Sequence, residues 1–132
     1  MFVVKYDPTG NPAWAKHAGN GNGTTRGDDI AFDGASGLYV GGFHQGPTVF
    51  DSQTLARTGN LFVARYDVSG ALQWVQGNDD ASGGGGEALG VAVPSPTGGV
   101  YVGGSYDTAT TLGVFPLTSA GQDDALAARL CN

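Results

Sequence analysis

Phe2-Val3-Val4-Lys5-Tyr6-Asp7, followed by Gly10 and Trp14, returns as Phe62-Val63-Ala64-Arg65-Tyr66-Asp67 with Gly70 and Trp74, an offset of 60 residues from Phe2 to Phe62. A shorter copy follows as Asp124-Ala125-Leu126-Ala127-Ala128-Arg129-Leu130. Within the first copy Phe2, Val4 and Tyr6 alternate with Val3, Lys5 and Asp7, and a period of two is the strand signal. Asp7-Pro8-Thr9-Gly10-Asn11 has the composition of a tight turn, and Ala13 to Lys16 reads as the returning strand. Residues 2 to 17 are therefore expected to form a hairpin, and residues 61 to 77 another. Self-similarity at a fixed period means one supersecondary unit used more than once. The chain divides into repeat 1, about residues 1–60, repeat 2, about 61–123, and the start of a third, 124–132.

The stretches between the copies repeat as well. Asp29 to Asp33, a turn at Gly34-Ala35-Ser36-Gly37 and Leu38 to Phe43 read as a second hairpin. Leu89 to Val93, a turn at Pro94 to Gly98 and Gly99 to Gly104 are its counterpart. Each returning strand closes on Gly-Gly, at Gly41-Gly42 and Gly103-Gly104, which predicts close approach of another backbone there. Pro47 to Asp51 and Gln53 to Arg57 suggest a small two-stranded excursion, matched by Leu112 to Phe115 and Leu117 to Ala120. Four main strands in about 60 residues amount to one blade of a β-propeller. The expected fold is all-β: about two four-stranded antiparallel blades, completed by other chains or by further sequence.

Composition agrees. Twenty-four of 132 residues are glycine, and they fall in doublets and loops without the three-residue period of collagen. Glu87 is the one Glu, and the remaining acids are Asp, which favours turns over helix interiors. The net charge of −6 repels a phosphate backbone, so nucleic acid is not an expected partner. No apolar run reaches the roughly 18 residues that a membrane-spanning helix needs. Met1 leads straight into a strand-like run, so no secretory leader is read here; export would require a removed leader or a longer parent chain. Cys131, the single cysteine, cannot form an internal disulfide, and in an oxidising compartment it would bridge two chains.

The order Phe62 to Gly70 with Trp74, then Gly90-Val91-Ala92-Val93, then Val100-Tyr101-Val102-Gly103-Gly104, then Leu117-Thr118-Ser119-Ala120-Gly121 and Asp124 to Leu130 resembles the bacterial and archaeal β-propeller repeat called SBBP. The likeness covers nearly the whole chain and departs from the family pattern at Pro94, where Asp is usual. It implies a module of a large secreted or cell-surface protein, and it brings no catalytic residues with it.

A strand count isolates one complete blade, with an unmatched outer hairpin before it and an unmatched inner hairpin and third strand after it. Two blades cannot close a ring that takes about four to eight. The chain is therefore expected to be an excerpt of a longer propeller, or to assemble with copies of itself into a ring or a fibre. Residues 2 to 7 and 124 to 130 would then contend for one strand position.

No residue cluster specifies a reaction, and the chain is read as non-enzymatic. Gly19 to Gly23 and Gly83 to Gly86 lack the Lys-Ser/Thr and the helix of a phosphate loop. His17 and His44 have no counterpart and no spaced metal-ligating partner. Asp28-Asp29, Asp79-Asp80 and Asp123-Asp124 offer the oxygen ligands Ca2+ takes, without the spacing of a known calcium loop. No cofactor is expected. Lys5, Arg65 and Arg129 share a repeat position, on a solvent face or beside a neighbouring blade's Asp. The candidate interaction residues are Trp14, Trp74, Phe2, Phe62 and Leu126. The leading functional reading is a structural or interaction module outside the cell, partnered by its own copies or by further blades. The alternative is a carbohydrate-binding propeller that takes glycans on loop aromatics and Asp/Asn side chains. Hydrolase activity lacks its acid/base pair in this stretch.

Overall fold

The computed structural model of the chain describes residues 1–19, 21–56, 60–78, 85–96 and 98–131. They form thirteen strands and no helix. The expected first hairpin is β1 (Phe2–Tyr6) with β2 (Pro12–Gly19). Asp7 Oδ1 closes its turn by accepting the N–H groups of Thr9 and Asn11, and Gly10 supplies the left-handed residue at φ +88°.

Two further hairpins follow. The first is β3 (Thr25–Phe32) with β4 (Gly37–His44), and between them lies the excursion β5 (Thr48–Phe50) and β6 (Gln53–Leu55) to the next copy. That copy is β7 (Leu61–Asp67) with β8 (Leu72–Gly77). Its turn is built as the first one is: Asp67 Oδ1 accepts from Ser69 and Ala71, and Gly70 sits at φ +84°. Even the irregularity recurs, since the ladder slips just after Lys5 opposite Trp14 and just after Arg65 opposite Trp74. β9 (Gly86–Ala92), β10 (Val100–Tyr106), β11 (Thr110–Leu112), β12 (Phe115–Leu117) and β13 (Asp124–Leu130) complete the set.

The strands make four antiparallel sheets in the orders β1-β2-β5-β6, β3-β4-β7-β8, β13-β10-β9 and β11-β12, and none closes into a ring. The register of β3-β4-β7 is also that of β9-β10-β13. Tyr39 stands between Ala31 and Arg65, and Tyr101 between Ala92 and Arg129; Gly41 stands between Asp29 and Val63, and Gly103 between Gly90 and Ala127. Each inner hairpin carries a bulge at the same place, where Asp28 or Leu89 is skipped. The bulge explains the second glycine of each Gly-Gly pair. A Cβ at Gly42 would run into the Arg26 carbonyl, and one at Gly104 into the Glu87 carbonyl.

Three sequence expectations are corrected in detail. The strand expected from Asp29 begins at Thr25, because the bulge lets pairing continue past Gly27 to His44. Leu112 to Phe115 is not one strand: Gly113 takes φ +61° and the chain turns between β11 and β12. β5 does more than connect, pairing with β2 through Ala18 opposite Phe50. The Asp79-Asp80 pair, residues 83 and 84 of the glycine loop and residue 97 of the turn lie outside the described residues.

Two cores flank the central sheet β3-β4-β7-β8. Against β1, β2 and β5 lie Val3, Ala18, Val40, Phe50, Phe62, Ala64 and Tyr66. On the other face Tyr39, Leu61 and Val63 meet Ala88, Val91, Val100, Val102 and Leu126 of the third sheet. The three larger sheets thus lie as layers, with side chains of alternating direction sealing the central one on both sides. Among the described residues no helix is long and apolar enough to cross a membrane.

Candidate interaction surfaces

The contact between the central and third sheets is decided at Gly41. Val91 Cγ1 would stand 2.7 Å from a Cβ at that position and Ala88 Cβ 3.2 Å, so the missing side chain is what lets β9 seat. Beside the apolar contact, Asp29 Oδ2 accepts the Val91 N–H at 2.9 Å and Arg26 Nη2 meets Glu87 Oε2 at 3.1 Å. Gly103 holds the same register position on the third sheet, yet among the described residues a Cβ there would meet nothing within 4 Å. That face is open. Gly103 lines a shallow depression of about 560 Å³ with Tyr101, Ala127 and Arg129.

A row of three side chains crosses the central sheet. Tyr39 on β4, Arg65 on β7 and Trp74 on β8 are successive cross-strand neighbours. The Arg65 guanidinium lies 5.6 Å from the Tyr39 ring centre, and Trp74 meets Tyr39 edge to face at 5.9 Å. The third sheet has the first two members, with Arg129 5.7 Å from the Tyr101 ring. The first sheet has the last two, Lys5 opposite Trp14. Neither outer layer has the full row.

Of the expected interaction residues, Trp14 and Trp74 are half-buried and differ in surroundings. Trp14 lies over Gly70 and donates its Nε1–H to the Val68 carbonyl at 3.1 Å, a bond from the first layer to the turn of the central one. Phe2 is 77% exposed, whereas its repeat partner Phe62 is fully buried under Phe50, ring centres 4.9 Å apart, with His44 on its edge. Leu126 is in the core, beside an apolar groove of about 660 Å³ between β13 and the β11-β12 hairpin. Sequence reasoning missed Ile30 and Phe32, each 57% exposed on β3, the strand equivalent to the one that seats on Gly41.

The polar candidates are held by their own fold. Asp33 is buried; desolvation pushes its carboxyl up, but the N–H groups of Ala35, Gly37 and Ser36 outweigh that and hold it below the usual carboxylate range. His44 is buried with Nδ1 3.1 Å from the Gly46 carbonyl, and desolvation lowers its pKa. Asp28 pairs with Arg26, Asp29 also accepts the Ile30 N–H, and Asp124 accepts that of Ala120. Lys5 donates to the Val68 carbonyl, Arg65 to Ser36, and Arg129 to the Gly98 carbonyl. Among the described residues no group of three or more His, Cys, Asp or Glu could hold a metal ion. His17 is exposed, opposite Phe2, and Cys131 is exposed and unpaired.

Compared with known proteins, the chain matches no family model and no curated sequence.

Proposed function

We propose that the chain is a non-enzymatic structural module whose sheets stack face to face as propeller blades of the SBBP type, in a secreted or cell-surface protein. The carrying observation is the pair Gly41 and Gly103. One register position is covered by the next sheet, and its repeat is left open. A layer that presents the same backbone, the same bulge and the same missing side chain is made to accept a further layer. The titratable groups support a structural role, since Asp7, Asp33 and Asp67 close turns and His44 is sealed in the core. The open faces join to copies of the chain, or to further sheets of the same polypeptide, in a ring or a fibre.

Negative-stain electron microscopy of the purified chain tests this reading. Rings or filaments with a repeat of a few sheet layers are expected, because exposed strand edges and apolar faces drive association. A field of particles no larger than one chain, at concentrations up to those used for structure work, would contradict assembly from copies of the chain.

A further inference from the structure

We infer that the open face of the third sheet takes the β2 and β3 strands of a second copy of this chain, head to tail. The inference rests on the stacking reading above and adds the contact. The internal junction serves as its template. Val91 and Ala88 fill the space over Gly41; their register equivalents on β3 are Ile30 and Gly27, and the equivalent of Gly41 is Gly103. Ile30 is one methylene larger than Val91 and Gly27 one methyl smaller than Ala88, so the docked pair fills the same volume over Gly103. Volume-conserving exchanges are the ones packed interfaces accept.

Charge agrees. Arg26 and Glu87 share a register position, opposite Phe43 and Ser105, and they meet across the internal junction. In a head-to-tail stack the next junction sets Glu87 of one copy against Arg26 of the other, so every junction joins opposite charges. The aromatic row agrees as well. Tyr101 and Arg129 lack the Trp that Tyr39 and Arg65 have, and Trp14 lacks the Tyr that Trp74 has. With β2 of the second copy as fourth strand beside β13, the row becomes Tyr101, Arg129 and the second copy's Trp14. β13 then stands where β1 of the second copy stood. β1 is the strand to yield, with Phe2 77% and Tyr6 61% exposed, while β13 pairs with β10 along seven residues.

The contact has two unlike ends, which a complementation experiment reads. Gly103→Trp blocks one end and meets open space within its own chain; Ile30→Asp blocks the other at an exposed position. By light scattering, each variant alone is expected to stay at the 13.3 kDa of one chain where the wild type assembles. An equimolar mixture is expected to form a species of two chains that grows no further. If either variant assembles as the wild type does, the contact is wrong and the stacking reading stands. If the wild type stays at one chain, the face belongs to a further sheet of a longer polypeptide, and both the contact and self-assembly fall. A second measurement covers a variant that does not fold. Ile30→Cys with Gly103→Cys, in a Cys131→Ser chain, should cross-link between copies on oxidation, and the absence of cross-linked dimer would overturn the contact.

Discussion

The indole of Trp14 stands over Gly70, and a Cβ at residue 70 would lie 2.8 Å from its Cδ2. Two layers meet at that point, the first sheet through its tryptophan and the central sheet through the turn between β7 and β8. Gly10 is the same turn residue one repeat earlier, with nearly the same φ but nothing within 4 Å of its Cβ position. The pair separates the cost of backbone conformation from the cost of layer packing.

Gly10→Ala is expected to lose about 1 kcal/mol, the strain of a left-handed alanine. Gly70→Ala carries the same strain and must also push Trp14 away, for a total of about 3 kcal/mol. Urea unfolding of the two variants, followed by far-ultraviolet circular dichroism, checks the difference. Equal losses would mean that Trp14 does not hold the layers together.

A second pair compares the covered and open layers. Gly41→Ala forces Val91 and Ala88 off the central sheet and is expected to cost about 1–3 kcal/mol. Gly103→Ala meets open space, and in the single chain it should change stability by less than about 0.5 kcal/mol. The comparison belongs at low protein concentration, below any assembly.

Two buried polar groups give pH and deletion effects. His44 has a folded pKa below the ordinary 6.5 because burial disfavours its charged form. Below about pH 6.5 the unfolded chain therefore binds a proton that the folded chain refuses, so stability falls as the pH drops and levels off below the folded pKa. The urea midpoint should decline between pH 7.5 and 5.5 in the wild type, and decline less in His44→Gln.

Tyr66 behaves oppositely on deletion. Its hydroxyl is buried with no hydrogen-bond partner among the described residues, and burial, with Asp51 adding to it, pushes its pKa up to about 12. Tyr66→Phe removes a desolvated group and should leave stability unchanged or raise it by about 1 kcal/mol. A loss of more than about 1 kcal/mol would show that the hydroxyl is satisfied in solution.

Much of this architecture is written in the sequence because its signals are local. Alternation in Phe2 to Tyr6 and the Asp7 and Gly10 turn suffice to place a hairpin, and the copy at Phe62 fixes its recurrence. What was not legible depends on neighbours distant in the chain. Phe2 and Phe62 are the same residue in the same repeat position, yet one is exposed and the other buried, because only the second has Phe50 and His44 above it. The seat of Val91 on Gly41 joins residues 50 positions apart, and no period announces it. Arg26 and Glu87 look unrelated until the ladders place them at one register position. Gly113 breaks a run that reads as a strand, since an apolar stretch says nothing about a left-handed residue within it.

Sedimentation velocity over a dilution series of the unmodified chain tests the central claim, that the open face of the third sheet stacks on a second copy of this chain. Species whose masses are whole multiples of 13.3 kDa and grow with concentration are expected. A single folded species of one chain's mass at every concentration would contradict it.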